Sequence, residues 1–130
     1  MSLLSLTGAE LVGMTPGDIA ETVYDELCCR YNERPLYGEC MSVAWLARTA
    51  IRAAHGDDAV RAVWGRVRDA DGDTGLHWWL VLPDGTVLDP LGEDWQYPAV
   101  EYDPRVDPAD DYLDRAWSDM VTDYRAGLLL

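Results

Sequence analysis

Three stretches of the chain repeat their apolar residues at helical spacing, and between the second and third they recur at every second position. In the first, Ile19, Ala20, Val23, Tyr24, Leu27 and Cys28 fall on one stripe, which predicts a helix over about 17–31. Thr15-Pro16-Gly17-Asp18 opens it as an N-cap with proline at the first helical position. "YNERPLYGE" then breaks the pattern, with Pro35 and Gly38 marking a loop. A second helix is predicted over about 40–54. Cys40, Ala44, Ala47, Ile51 and Ala54 share one face, Val43, Leu46 and Ala50 widen it, and Arg48, Thr49 and Arg52 point outward. So broad an apolar surface belongs to a central, largely buried helix. His55-Gly56 ends it: glycine suits the cap, and histidine the negative end of the helix dipole.

From Ala59 the period changes to two. "AVRAVWGRVR" reads as a strand, "DADGDTG" as a polar turn, "LHWWLVLP" as a second strand, "DG" as a tight turn and "TVLDP" as a third strand. Beyond Gly92 the chain becomes acidic and proline-rich, and a last helix is expected from about Pro108. Leu113, Ala116, Trp117, Met120 and Tyr124 form its packing stripe, and Gly127 can cap it. These elements predict an α+β fold in which a central, cysteine-bearing helix packs on a small antiparallel sheet with helices flanking it. They are read as one domain over 1–130, with a core at about 17–95 and an acidic loop and helix at 96–130.

Composition narrows the function. A 130-residue chain is large enough for one core without metal or disulfide staples. Its 24 acidic against 10 basic residues give a formal charge of −14, and no basic cluster is present to contact phosphates, which argues against direct nucleic-acid binding. The N-terminal "MSLLSLTGAELVG" lacks a basic leader region, and no run approaches the length of a membrane span. Three cysteines, two of them adjacent, make a poor disulfide framework, so a reducing cytoplasm is expected. Cys28 on the first helical stripe and Cys29 at its edge read as small core hydrophobes.

Cys40 differs from these two. It starts a helix, where unpaired backbone N–H groups and the positive end of the dipole favour a thiolate. In a chain this acidic, a thiolate paired with an imidazolium is easier to accommodate than a lone anion. The candidate imidazole is His77, on the strand "LHWWLVLP", and Asp89 follows on the next strand.

Gly38-x-Cys40 opening an alanine-rich helix, followed by "HWWLVLPDGTVLDP", resembles the transglutaminase-like branch of the papain-like cysteine enzymes. The resemblance covers about residues 37–95. The pattern also resembles small phage and bacterial proteins with a G-x-C helix and an "HW" strand. The resemblance implies that Cys40 attacks a carbonyl, His77 shuttles the proton and Asp89 orients His77. It implies a cysteine-dependent acyl transfer on an amide or ester, with a peptidase, amidase, deamidase or transglutaminase outcome and a protein or peptide as substrate.

Local register opposes one part of this. A two-residue turn at Asp84-Gly85 would place Asp89 opposite Leu80, so a bulge or strong twist is needed to reach His77, and Asp94 and Glu93 are the other candidate orienters. Asp89 can also be read as the start of an Asp-Pro turn. For an oxyanion hole, the Cys40 backbone N–H is one donor, and Asn32, Tyr37 or a tryptophan side chain could be the second. No cofactor is expected: no phosphate-binding glycine loop appears, and a zinc site from Cys28, Cys29, Cys40 and His77 lacks C-x-x-C spacing. The competing expectation is a non-catalytic acidic interaction protein that binds a basic partner surface.

Overall fold

The computed structural model describes residues 8–95 and 97–129, with side chains described for residues 10–95 and 97–122. The readings that fall on residues 1–7 and on the packing of Tyr124 lie outside these. Among the described residues the architecture is α+β: five helices and a four-stranded antiparallel sheet. The chain runs α1 (Gly8–Val12), α2 (Pro16–Tyr31), α3 (Cys40–His55), a 3-10 turn (Asp57–Ala59), β1 (Arg61–Asp69), β2 (Thr74–Val81), β3 (Val87–Leu88), α4 (Pro90–Asp94), β4 (Ala99–Val106) and α5 (Asp110–Leu129).

The two leading helices form where the apolar stripes place them. The Thr15 hydroxyl accepts from the Asp18 N–H at 3.1 Å to start α2, and Asn32, in the left-handed region at φ 49°, closes it. Gly56 at φ 100° ends α3 by donating its N–H to the Arg52 carbonyl at 2.9 Å. The strand order is β3-β2-β1-β4. One face of the sheet carries Ala62, Trp78 and Leu80 and packs on Ile19, Val23, Tyr24, Val43, Ala47 and Ile51 of α2 and α3. The opposite face builds a second, smaller core from Val63, Val67, Trp79 and Val81, with Trp95, Ala99 and Tyr102 against it.

Four expectations are corrected. Residues 99–106, expected to be loop, form β4, an edge strand paired with β1. Only its inward positions Ala99 and Tyr102 are partly buried, and Pro104 is tolerated because an edge strand need not donate on both sides. Arg48, expected to face outward, is buried at 4% exposure because α5 covers it, with Asp110 and Asp114 as its ion-pair partners. Trp117 is half-buried rather than core, stacked on Trp45 with ring centroids 4.5 Å apart, while Leu113 is the fully buried anchor of α5. Gly127 does not cap α5, which continues to Leu129.

The third strand is also shorter than expected, and this decides the site. The Leu82 N–H donates to the Thr86 carbonyl at 2.9 Å, so the connection is the three-residue loop Pro83-Asp84-Gly85, with Gly85 at φ 91°. That loop length commonly ends in such a left-handed residue. Leu88, not Asp89, therefore stands opposite Leu80. Strand side chains alternate, so a one-residue change in register moves each one to the other face.

Candidate active site

In the observed register Asp89 falls on the same face of the sheet as His77 and Trp79. There the chain leaves β3, and Asp89 becomes the N-cap of α4. Its Oδ1 accepts from the Gly92 N–H at 3.1 Å. A Cβ at position 92 would overlap the Asp89 carboxylate, so glycine is what lets the acid fold over the start of α4. His77 stands opposite Gly65 on β1, and a Cβ on Gly65 would come within 2.7 Å of the Trp79 ring. That Cβ would come closer still to the Asp103 carbonyl of β4, so the absent side chain both lets β4 lie against β1 and leaves the Trp79 ring its space.

His77 and Asp89 are joined directly. Nε2 of His77 donates to both carboxylate oxygens at 2.8 Å, and the residues are 0% and 4% exposed. The carboxylate is further held by the Tyr102 hydroxyl, which donates to Oδ2 at 2.8 Å from β4. Trp95 packs on the imidazole with ring centroids 4.8 Å apart, and Trp79 lies 6.3 Å away. With its Nε2 proton committed to Asp89, neutral His77 has its lone pair on Nδ1.

Cys40 is the third member of the group. Burial opposes protonation of His77, but its hydrogen bond to Asp89, the interaction with Cys40 and the Asp89 charge outweigh it and push the imidazole up to about 9. Cys40 also shares a small cavity with Asp89, which places the thiol beside the couple. Nδ1 nonetheless has no hydrogen-bond partner of good geometry, so the thiol and imidazole are adjacent without being aligned, as such pairs commonly are before substrate binds. Cys40, partly exposed, lines a small cavity with Leu88, Asp89, Pro90 and Trp78 to Leu80. The N-terminus of α3 thus meets the sheet where β3 ends. No side chain caps that helix start.

The other candidates lie elsewhere. Asp94 accepts from the Tyr24 hydroxyl at 2.7 Å and pairs with Arg34 at 3.2 Å. Glu93 lines a groove with Glu21 and Asp18, and burial, then the charges of Asp89 and Glu21, raise its pKa. Neither replaces Asp89 at the imidazole. Cys28 is buried on α2 as expected, Cys29, expected to be a core residue at the edge of the stripe, is exposed instead, and His55 binds the Met14 carbonyl at 2.7 Å through Nε2. Asn32 serves as the cap of α2, and Tyr37 is exposed. Among the described residues no group of three or more His, Cys, Asp or Glu side chains could hold a metal ion, and no helix is long and apolar enough to cross a membrane.

Tyr102 and Trp95 are the site residues that sequence reasoning missed. Tyr102 lies in the acidic stretch that carries almost no strand signal. Trp95 carried a weak one, as an indole-bearing residue just past the Asp-Pro pair. Its Nε1 is buried and without a hydrogen-bond partner. Compared with protein-family models, with curated proteins and with solved structures, the chain matches none.

Proposed function

We propose that this protein is a cysteine-dependent acyl-transfer enzyme, as its resemblance to the transglutaminase-like branch of the papain-like enzymes implies. The observation that carries the reading is the buried imidazole of His77, fixed by Asp89 through Nε2, with Cys40 at a helix start beside it. With the thiol proton already on His77, which holds a proton up to about pH 9, the Cys40 sulfur attacks an amide or ester carbonyl and a tetrahedral oxyanion forms. The Cys40 backbone N–H and the Trp95 indole N–H are the candidate donors to that oxygen. Collapse of the adduct breaks the C–N or C–O bond, His77 gives its proton to the leaving amine or alcohol, and a thioester remains on Cys40. Water or an amine then attacks the thioester, losing its proton to His77, and the thiol is restored. A protein or peptide substrate and a reducing cytoplasm fit a site that depends on a free thiol.

One observation favours the second reading, a non-catalytic acidic protein that binds a basic partner. The cavity beside Cys40 measures about 10 Å³, room for a single water, and His77 has no exposed surface. Timed alkylation with dilute iodoacetamide, mapped by peptide mass spectrometry, separates the two. Under the enzyme reading Cys40 reacts at least about tenfold faster than exposed Cys29 at pH 7, and His77→Ala removes the advantage. Equal rates at the two cysteines would leave the binding reading.

A further inference from the structure

We propose that Tyr102 is a positioning residue of this site, a fourth member that holds the Asp89 carboxylate in place and sets how tightly the His77–Asp89 couple binds its proton. The inference rests on the acyl-transfer reading for its purpose, but its geometry stands alone. Asp89 has two oxygens and three donors. Oδ1 receives the Gly92 N–H and Oδ2 the Tyr102 hydroxyl, while His77 Nε2 bridges both. The Gly92 contact ties the acid to its own helix start. The Tyr102 contact is the one that reaches across the sheet, from an edge strand two positions away from β2.

Tyr102 is itself held. It stands opposite Val67 on β1, on the face that carries His77, and its ring meets Trp79 edge-on with centroids 5.0 Å apart. Its phenol is driven above the ordinary tyrosine range by burial, and further by the Asp89 charge and hydrogen bond, so it remains a donor throughout the neutral range. The titratable groups around the imidazole are Asp89, Cys40 from α3, Tyr102 from β4 and, through Asp89, Glu93 from α4.

A donor on Oδ2 withdraws charge from the carboxylate and weakens its hold on the His77 proton. Removing that donor makes the carboxylate more basic, so the couple binds its proton more tightly and both rings gain freedom. Tyr102→Phe removes only the hydroxyl. Its apparent His77 titration, followed by ¹⁵N-edited NMR of the ring, should rise by about one unit, the scale of a hydrogen bond to a charged group.

That shift supports the assignment whether or not Cys40 proves reactive in the wild type, so failure of the enzyme reading and failure of this one are separable. A folded Tyr102→Phe whose His77 titration superimposes on the wild type would reduce Tyr102 to packing and overturn the proposal. A second measurement needs no variant. Because the two donors share Oδ2, the low-field Nε2 proton of wild-type His77 should show a nuclear Overhauser effect to the Tyr102 hydroxyl or ring protons. An assigned Nε2 proton without that effect would overturn it equally.

Discussion

Raising the pH through the titration of His77 should destabilise the fold, by an amount that follows from the buried couple. His77 carries its proton up to about pH 9 in the folded chain, whereas an unfolded histidine loses it near 6.5. Below about pH 6.5 both states are protonated, and the contribution is fully present. Between there and about 9 the folded state binds one proton more than the unfolded state, so stability falls as pH rises. The difference of roughly 2.5 units corresponds to about 3 kcal/mol at 1.36 kcal/mol per unit. Because the group is fully buried, salt should screen the effect little. Urea denaturation followed by tryptophan fluorescence at pH 6, 7.5 and 9, for wild type and His77→Gln, measures it. The wild type should lose about 2–3 kcal/mol more than the variant across that window. Parallel pH profiles for the two proteins would refute an imidazolium held by Asp89 and Cys40.

Two further substitutions test the supports of the site and of the core. Gly92→Ala drives a methyl into the Asp89 carboxylate, and should cost about 1–3 kcal/mol in thermal or urea denaturation while slowing Cys40 alkylation toward the rate of Cys29. Arg48→Ala removes a buried guanidinium from Asp110 and Asp114, but Asp110 keeps Arg52 and Asp114 is largely exposed, so it should cost about 1–2 kcal/mol, with Arg48→Met milder because it refills the volume. The Arg48 effect should be visible in stability alone, with the alkylation rate ratio unchanged.

The helices were legible because their cores are periodic: the stripe from Ile19 to Cys28 and the face from Cys40 to Ala54 are long enough to fix type and extent. What local pattern could not supply was register. A two-residue turn at Asp84-Gly85 puts Asp89 on the wrong face, and the loop that forms differs from it by one residue. Three-residue and two-residue loops share the same turn residues, so no spacing rule separates them before the strands pair. β4 was hidden for another reason. Only two of its positions, Ala99 and Tyr102, are half-buried, three residues apart across a register shift rather than alternating, and its proline and charges give the composition of a loop. Arg48 was misplaced because helical spacing locates a residue on a helix but does not say whether another helix will cover it.

The energetics of the couple bear on why it is present. A buried ionic pair is about as stable as a well-packed apolar pair of the same volume, so stability alone gives no reason to keep one. Here the fold surrounds one imidazole with a carboxylate, a phenol, a helix N-terminus and two indoles, and it gives up a Cβ at Gly65 and at Gly92 to make room. The hydrogen bonds among these supports converge on the Nε2 side of His77. Nδ1, the side that exchanges its proton, is the side without a partner of good geometry. A structural histidine would be expected to satisfy both nitrogens, as buried polar atoms ordinarily do. A ring fixed at one nitrogen and free at the other, with a thiol next to it, is the arrangement that proton exchange with Cys40 requires. The acyl-transfer proposal accounts for that asymmetry, and a purely structural role for the couple does not.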